Sequence, residues 1–191
     1  LLFRHDDPVY AATLLGVSRA LFKCASAPEH NAENAYLQTF LPEVAPQYTS
    51  YGFSDELGWA AAWLYDVTRQ VEYLAAFKAG MQRGETQNRW WYEGFAASWD
   101  DVNAMAKLKM LQVAPAGYAH TGLLRQSVRE YVRKWHDCKP THDGWPGVRT
   151  PCGLCFLQKW APLRYASTTA LLFTLYTKTF PDDPLADALD E

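Results

Sequence analysis

The chain has no run of lysine or arginine and no apolar stretch approaching the roughly 20 residues that span a bilayer. The first absence argues against nucleic acid as a partner, and the second against a membrane span. The 18 basic and 21 acidic residues are intermixed, giving a formal net charge of −3. No run with the alternating period of a strand reaches convincing length. Cysteine is scarce, at four (Cys24, Cys138, Cys152, Cys155). That even count allows disulfides without fixing a pairing. There is no initiator Met and no visible signal peptide, and Leu1-Leu2-Phe3-Arg4 reads as the tail of a helix whose start lies outside the chain. What is abundant is aromatic: 8 Trp and 11 Tyr in 191 residues that are 49% hydrophobic. That is ample for one packed domain, or for a piece of a larger one.

The pattern is helical almost throughout. Asp7-Pro8 reads as a cap followed by proline in the first turn, with Val9, Tyr10, Leu14, Leu15, Ala20 and Leu21 on an apolar face running to about Lys23. Residues 26–50 hold Pro28, Pro42 and Pro46 and read as a loop with one short helix near Asn34–Phe40. Ser54 caps a helix to about Thr68, followed after a short connection by Val71 to about Gln82. Residues 84–97 read as an aromatic loop. Ser98 caps a helix to about Leu111, and Thr121 to about Trp135 forms the next. Residues 138–161 show no helical period. Pro162 opens a helix to about Thr179, and Pro184 begins a further one through Leu185–Leu189. Helix pairs separated by long loops fit a helical toroid or solenoid better than a four-helix bundle, with function on the loops.

Three groups carry candidate chemistry. Asp55, Glu56 and Asp100 are hard oxygen donors in first helical turns and suit a cation, although the helix dipole alone favours acids there. Trp160, Arg164 and Tyr165 combine a flat apolar face with a fork of donors, suited to stacking and hydrogen-bonding a sugar. Their alternative is a packed Trp beside a solvated Arg. The same spacing places Trp160 and Arg164 one turn apart at a rim, where Phe95 and Trp99 could add surface. Trp59 and Trp63, on an alanine-rich helix, read as core. His136, Cys138, His142, Cys152 and Cys155 match no zinc spacing. Zinc is unlikely, and a disulfide from Cys138 to Cys152 or Cys155 is the competing reading.

The segment Ser50 to Tyr65, with Gly52-Phe53-Ser54-Asp55-Glu56-Leu57-Gly58-Trp59-Ala60-Ala61-Ala62-Trp63-Leu64-Tyr65, resembles the central signature of family 9 glycoside hydrolases, the inverting endoglucanases. Val71-Glu72-Tyr73-Leu74, Ser98-Trp99-Asp100-Asp101, Arg149-Thr150-Pro151-Cys152-Gly153-Leu154 and Trp160-Ala161-Pro162-Leu163-Arg164-Tyr165-Ala166 resemble later family segments in the same order, and Asp7-Pro8-Val9-Tyr10 fits the upstream helix start. Cys152 and Cys155 stand where the family usually has Gly and an aliphatic.

The resemblance implies an all-α fold. Residues 1–191 would form the central portion, about half, of an (α/α)6 toroid of antiparallel helix pairs. It also implies a β-1,4-glucan substrate and an extracellular or secreted setting. Calcium would be held by Asp55, Glu56 and Asp100 with backbone oxygens from about Tyr51 and Gly52, and substrate contacts would come from Trp160, Arg164, Tyr165, Phe95 and Trp99. The family's base Asp and acid Glu have no counterpart in this chain, so no catalytic residue is assigned, and the remainder of the domain is expected as a partner. A non-catalytic relative that binds polysaccharide or serves as a scaffold is the alternative, and an unrelated toroid acting on other sugars is a third.

Overall fold

A computed structural model describes residues 2–27, 42–43, 52–87, 96–142 and 144–189, with backbone only for 82–87. Among them the helices are α1 (Pro8–Ser26), α2 (Ser54–Thr68), α3 (Val71–Gln87), α4 (Asn103–Val113), α5 (Thr121–Asp137), α6 (Pro162–Thr179) and the short α7 (Pro184–Asp187). The strands β1 (Val148–Arg149) and β2 (Cys155–Phe156) pair antiparallel, with Val148 opposite Phe156. No described helix is long and apolar enough to cross a membrane. The chain divides into two compact units, residues 1–88 and 89–191.

In the first unit, α1 starts as the Asp-Pro pattern predicts. Asp7 Oδ1 accepts from Tyr10 N at 2.9 Å, with proline in the first turn. None of the α1 side chains is buried, and Val9, Tyr10, Leu14 and Leu21 are exposed. The helix α2 begins at Ser54, with Phe53 in the cap position. Ser54 is therefore inside the first turn and is not the cap expected. Asp55 and Glu56 share that turn, where the unpaired N–H groups favour negative charge.

The face of α2 that packs is also not the one the tryptophans suggested. Ala61 and Ala62 are fully buried and Gly58, Leu64 and Tyr65 are buried, whereas Trp59 is half-buried and Trp63 is 46% exposed. The reason is the closeness of α2 to α3. A Cβ on Gly80 would stand 2.7 Å from Ser54 O, so the helices meet backbone to backbone and only small residues fit between them. Trp63 is turned to a groove of about 630 Å³ between α1 and α2, lined by Phe3, Leu14, Leu15 and Val67 among others. The helix α3 runs to Gln87, through the first residues of the expected 84–97 loop. The expected helix at 34–40 lies outside the described residues.

In the second unit, α4, α5 and α6 enclose a core of Leu108, Val128, Val132, Trp135, Leu172 and Tyr176. The helix α4 starts at Asn103, later than expected. Ser98 does not cap it: Val102 holds the cap position without a side-chain cap bond, and Asp101 Oδ1, one residue earlier, accepts from Asn103 N at 2.9 Å. Between α5 and α6, Trp145 is fully buried and edge-on to Trp135 at 5.8 Å between centroids. A Cβ on Gly147 would fall 1.9 Å from the Trp145 ring, so only glycine lets the chain cross the indole there. Cys138 and Cys155 form a disulfide, one of the pairings left open, and this removes both sulfurs from any metal-ligand set. Arg149 Nη1 donates to Gly153 O at 3.0 Å across the hairpin turn. Asp183 caps α7, accepting from Leu185 N at 3.0 Å, as the second Asp-Pro pair predicts.

Candidate functional site

The expected sugar-facing residues of the second unit lie on two segments. The first is the turn 98–101. Ser98 N donates to Asp101 O at 2.8 Å, and Asp100 N lies 3.4 Å from Ser98 Oγ. Asp101 is buried and Asp100 half-buried, while Trp99 is 46% exposed. A large apolar ring on a turn fixed by hydrogen bonds on both flanks is presented to solvent at little further entropic cost.

The second segment is the start of α6. Trp160 precedes the helix and is 69% exposed. The backbone turns at Ala161, whose φ is +44°, and Pro162 then enters the first turn. Trp160 thus lies exposed just before the first turn of α6. The one-turn relation to Arg164 does not hold, because the helix begins only at Pro162. Arg164 is half-buried and its guanidinium lies 4.5 Å over the Tyr165 ring. Tyr165 is buried, and its hydroxyl is met by both Arg164 and Gln158. Arg164 Nε is buried without a hydrogen-bond partner among the described residues.

One hydroxyl joins the two segments. Thr168 Oγ1 lies 2.7 Å from Ala97 O and 2.9 Å from Arg164 O. The backbone entering the Trp99 turn is therefore tied to the helical turn that carries Arg164. Tyr131 holds the preceding peptide of the same residue: Ala97 N donates to its hydroxyl at 3.0 Å, and that hydroxyl shares a hydrogen bond of 2.9 Å with Thr169. Tyr131 and Thr169 are both buried, and burial pushes the Tyr131 phenol up to about 12, against the pull of its bonds to Thr169 and Ala97. Sequence reasoning missed this network. The signal available was Ser167-Thr168-Thr169, three hydroxyls inside a helix where such residues are not favoured for propensity.

The expected metal ligands divide between the units. Asp55, which is buried, and Glu56, which is half-buried, belong to the first unit, while Asp100 belongs to the second. Gly52 is half-buried in the first unit. Tyr51 and Phe95 lie outside the described residues. Carboxylate oxygens and backbone carbonyls are a donor set that fits a hard divalent cation. Within neither unit do three His, Cys, Asp or Glu side chains gather among the described residues.

The family profile described as Glycosyl hydrolase family 9 matches residues 1–190. Endoglucanase 5 of Arabidopsis thaliana is 30% identical over 183 residues, covering 93% of this chain and 27% of its own length. Endoglucanase CX of Prunus persica is 29% identical over 187 residues, covering 93% of this chain and 68% of its own. Among solved structures, a cellulase of C. cellulolyticum matches with a TM-score of 0.69 at 25% identity, over 100% of this chain and 38% of that one. An endoglucanase from the termite Nasutitermes takasagoensis matches with a TM-score of 0.74 at 23% identity, over 98% of this chain and 39% of that one. The fold is therefore all-α, that of part of an (α/α)6 toroid. For the Arabidopsis relative and for both structures, the chain spans less than two-fifths of the length it matches.

Proposed function

Because the chain belongs to glycosyl hydrolase family 9, we propose that it is part of an inverting endoglucanase-like hydrolase of β-1,4-glucan and supplies a stretch of the substrate cleft. The observation that carries this is the joining of the Trp99 turn to the Arg164 turn through Thr168. It brings an exposed indole and an arginine to the same end of α6. Trp160, half a turn before that helix, adds a second exposed indole. Flat apolar faces beside a rigid guanidinium suit the ring faces and equatorial hydroxyls of a glucan.

In this reading Trp99 and Trp160 stack on pyranose rings, with Phe95 as a further aromatic contact. Arg164, steadied on Tyr165, donates to hydroxyl groups. An inverting reaction needs a base that deprotonates water and an acid that protonates the leaving oxygen, about 6.5–9.5 Å apart. We assign neither role to a carboxylate of this chain. Asp55, Glu56 and Asp100, with backbone oxygens at about Tyr51 and Gly52, are proposed as calcium ligands, an ion that would supply no chemical step. An extracellular setting accords with the disulfide.

The test is a titration of the chain with a soluble cello-oligosaccharide, followed by tryptophan fluorescence. Trp160→Ala is expected to weaken binding at least tenfold and Arg164→Ala severalfold. Unchanged binding in both variants would sink the assignment. The second reading, a polysaccharide-binding or scaffold relative without turnover, predicts the same binding with no hydrolysis when these residues stand in the longest natural form of the protein.

A further inference from the structure

We propose that Tyr131 and Thr168 are positioning residues for Trp99, acting through the backbone N–H and carbonyl of Ala97. The inference rests on the sugar-cleft reading for its purpose, but not for its geometry.

The backbone before Trp99 has no regular secondary structure to hold it, since residues 96–102 precede the first turn of α4. Both polar groups of Ala97 are nevertheless engaged by side chains from elsewhere in the unit. Its N–H donates to Tyr131 on α5 at 3.0 Å, and its carbonyl accepts from Thr168 on α6 at 2.7 Å. Two helices thus hold the two successive peptide groups that flank the Ala97 Cα. Ala96 and Ala97 are both 3% exposed, so there is no water to replace a bond that is lost. Immediately beyond this grip the chain closes its own turn, from Ser98 N to Asp101 O, and Asp101 Oδ1 accepts from Asn103 N, the first residue of α4. Trp99 lies between two fixed points, one made by the Tyr131–Thr168 pair and the other by the helix start. Rotation of the Ala97 peptide would turn the 98–101 loop and swing the indole.

The Thr168 hydroxyl also lies 2.9 Å from Arg164 O and 3.2 Å from Tyr165 O in its own helix, but its shortest contact, at 2.7 Å, is to Ala97 O. The Tyr131 ring contributes to the core beside Trp135, and Phe would pack as well. What the hydroxyl adds is the acceptor for Ala97 and the link to Thr169. Because burial keeps the phenol protonated far above neutral pH, the arrangement is constant across the range in which such a cleft would work.

The experiment compares Tyr131→Phe, Thr168→Val and Thr168→Ser with Val128→Ala in the full chain. Val128 is fully buried on α5 and does not bond Ala97, so its variant reports on lost stability alone. The indole N–H resonance of Trp99, assigned with Trp99→Phe, is expected to move or broaden in Tyr131→Phe and Thr168→Val, to return in Thr168→Ser and to stay in Val128→Ala. Cello-oligosaccharide affinity, measured where all variants are folded, should fall about fivefold or more in the first two only. A Trp99 resonance unmoved in both, or moved as far by Val128→Ala, would overturn the proposal. No binding by the unaltered chain would instead bring down the sugar reading, and the resonance alone then decides whether the two residues set Trp99.

Discussion

Tyr176 donates its hydroxyl to Asp183 Oδ2 at 2.8 Å, and both residues are buried where α6 ends and α7 begins. The same carboxylate accepts from Leu185 N at 3.0 Å and from Arg129 Nε at 3.2 Å, with Arg125 Nη2 at 3.4 Å. Burial alone would raise the Asp183 carboxyl. The bonds from Leu185, Tyr176 and Arg129, together with the charge of Arg129, outweigh it and hold the group at about 2.

A carboxyl lowered by folding stabilises the native state above the unfolded value of about 3.9, and that stability is lost as the pH falls toward 2. Asp183→Asn should therefore cost about 1–2 kcal/mol at pH 7, after allowance for solvent screening of the half-exposed arginines. The gap to the unaltered chain should close between about pH 4 and pH 2. Urea unfolding over a pH series measures it, and a gap independent of pH would refute the charge account.

The same substitution at two glycines of the first unit should act with opposite sign. Gly80→Ala forces a methyl to within 2.7 Å of the Ser54 carbonyl, which is backbone and cannot yield cheaply. Overpacking of this kind costs about 1–3 kcal/mol. Gly16 lies within α1 with nothing inside 4 Å of an added Cβ. Gly16→Ala should stabilise by up to about 1 kcal/mol through helix propensity. Thermal melts of the two variants check this; a stable Gly80→Ala would mean that α2 and α3 are farther apart than described.

Ala161 adopts φ +44° at the entrance to α6, a conformation that costs an L-residue about 1–2 kcal/mol. Glycine is free of that penalty but loses more entropy on folding. Ala161→Gly is expected to be neutral to stabilising by about 1 kcal/mol, and Ala161→Val clearly destabilising. A melting temperature lowered by glycine as much as by valine would contradict the left-handed turn.

If Asp55, Glu56 and Asp100 hold calcium, adding the ion should raise the melting temperature and chelation should lower it. Asp55→Asn should blunt that response by at least half. Identical melts with calcium and with chelator would end the metal proposal.

What the sequence disclosed follows the range of the interactions. Asp7-Pro8 and Asp183-Pro184 were read correctly as helix starts, because a cap is made within three residues. At 98–101 the same logic misled. Ser98, Asp100 and Asp101 are all capping types, yet the turn from Ser98 to Asp101 closes first and leaves Val102 in the cap position, with Asp101 bonding Asn103 N from one residue earlier. The Trp59–Trp63 stripe marked a helical face, but periodicity cannot say which face meets the nearest neighbour. Gly58 and Gly80 held that information, and it was usable only once α2 and α3 were known to pack. That Trp160 precedes the first turn of α6 was legible from Pro162. The grip on Ala97 joins residues 34 and 71 positions apart, and the local mark, Ser167-Thr168-Thr169, does not say what those hydroxyls bond.

The bond between Cys138 and Cys155 spans 17 positions and encloses the segment that contains Trp145. A protease cutting once at the exposed Lys139–Thr141 stretch would leave two pieces that still travel together on a gel run without reductant. They would separate only after a thiol is added. Such a nick would go unnoticed in any preparation judged by size alone.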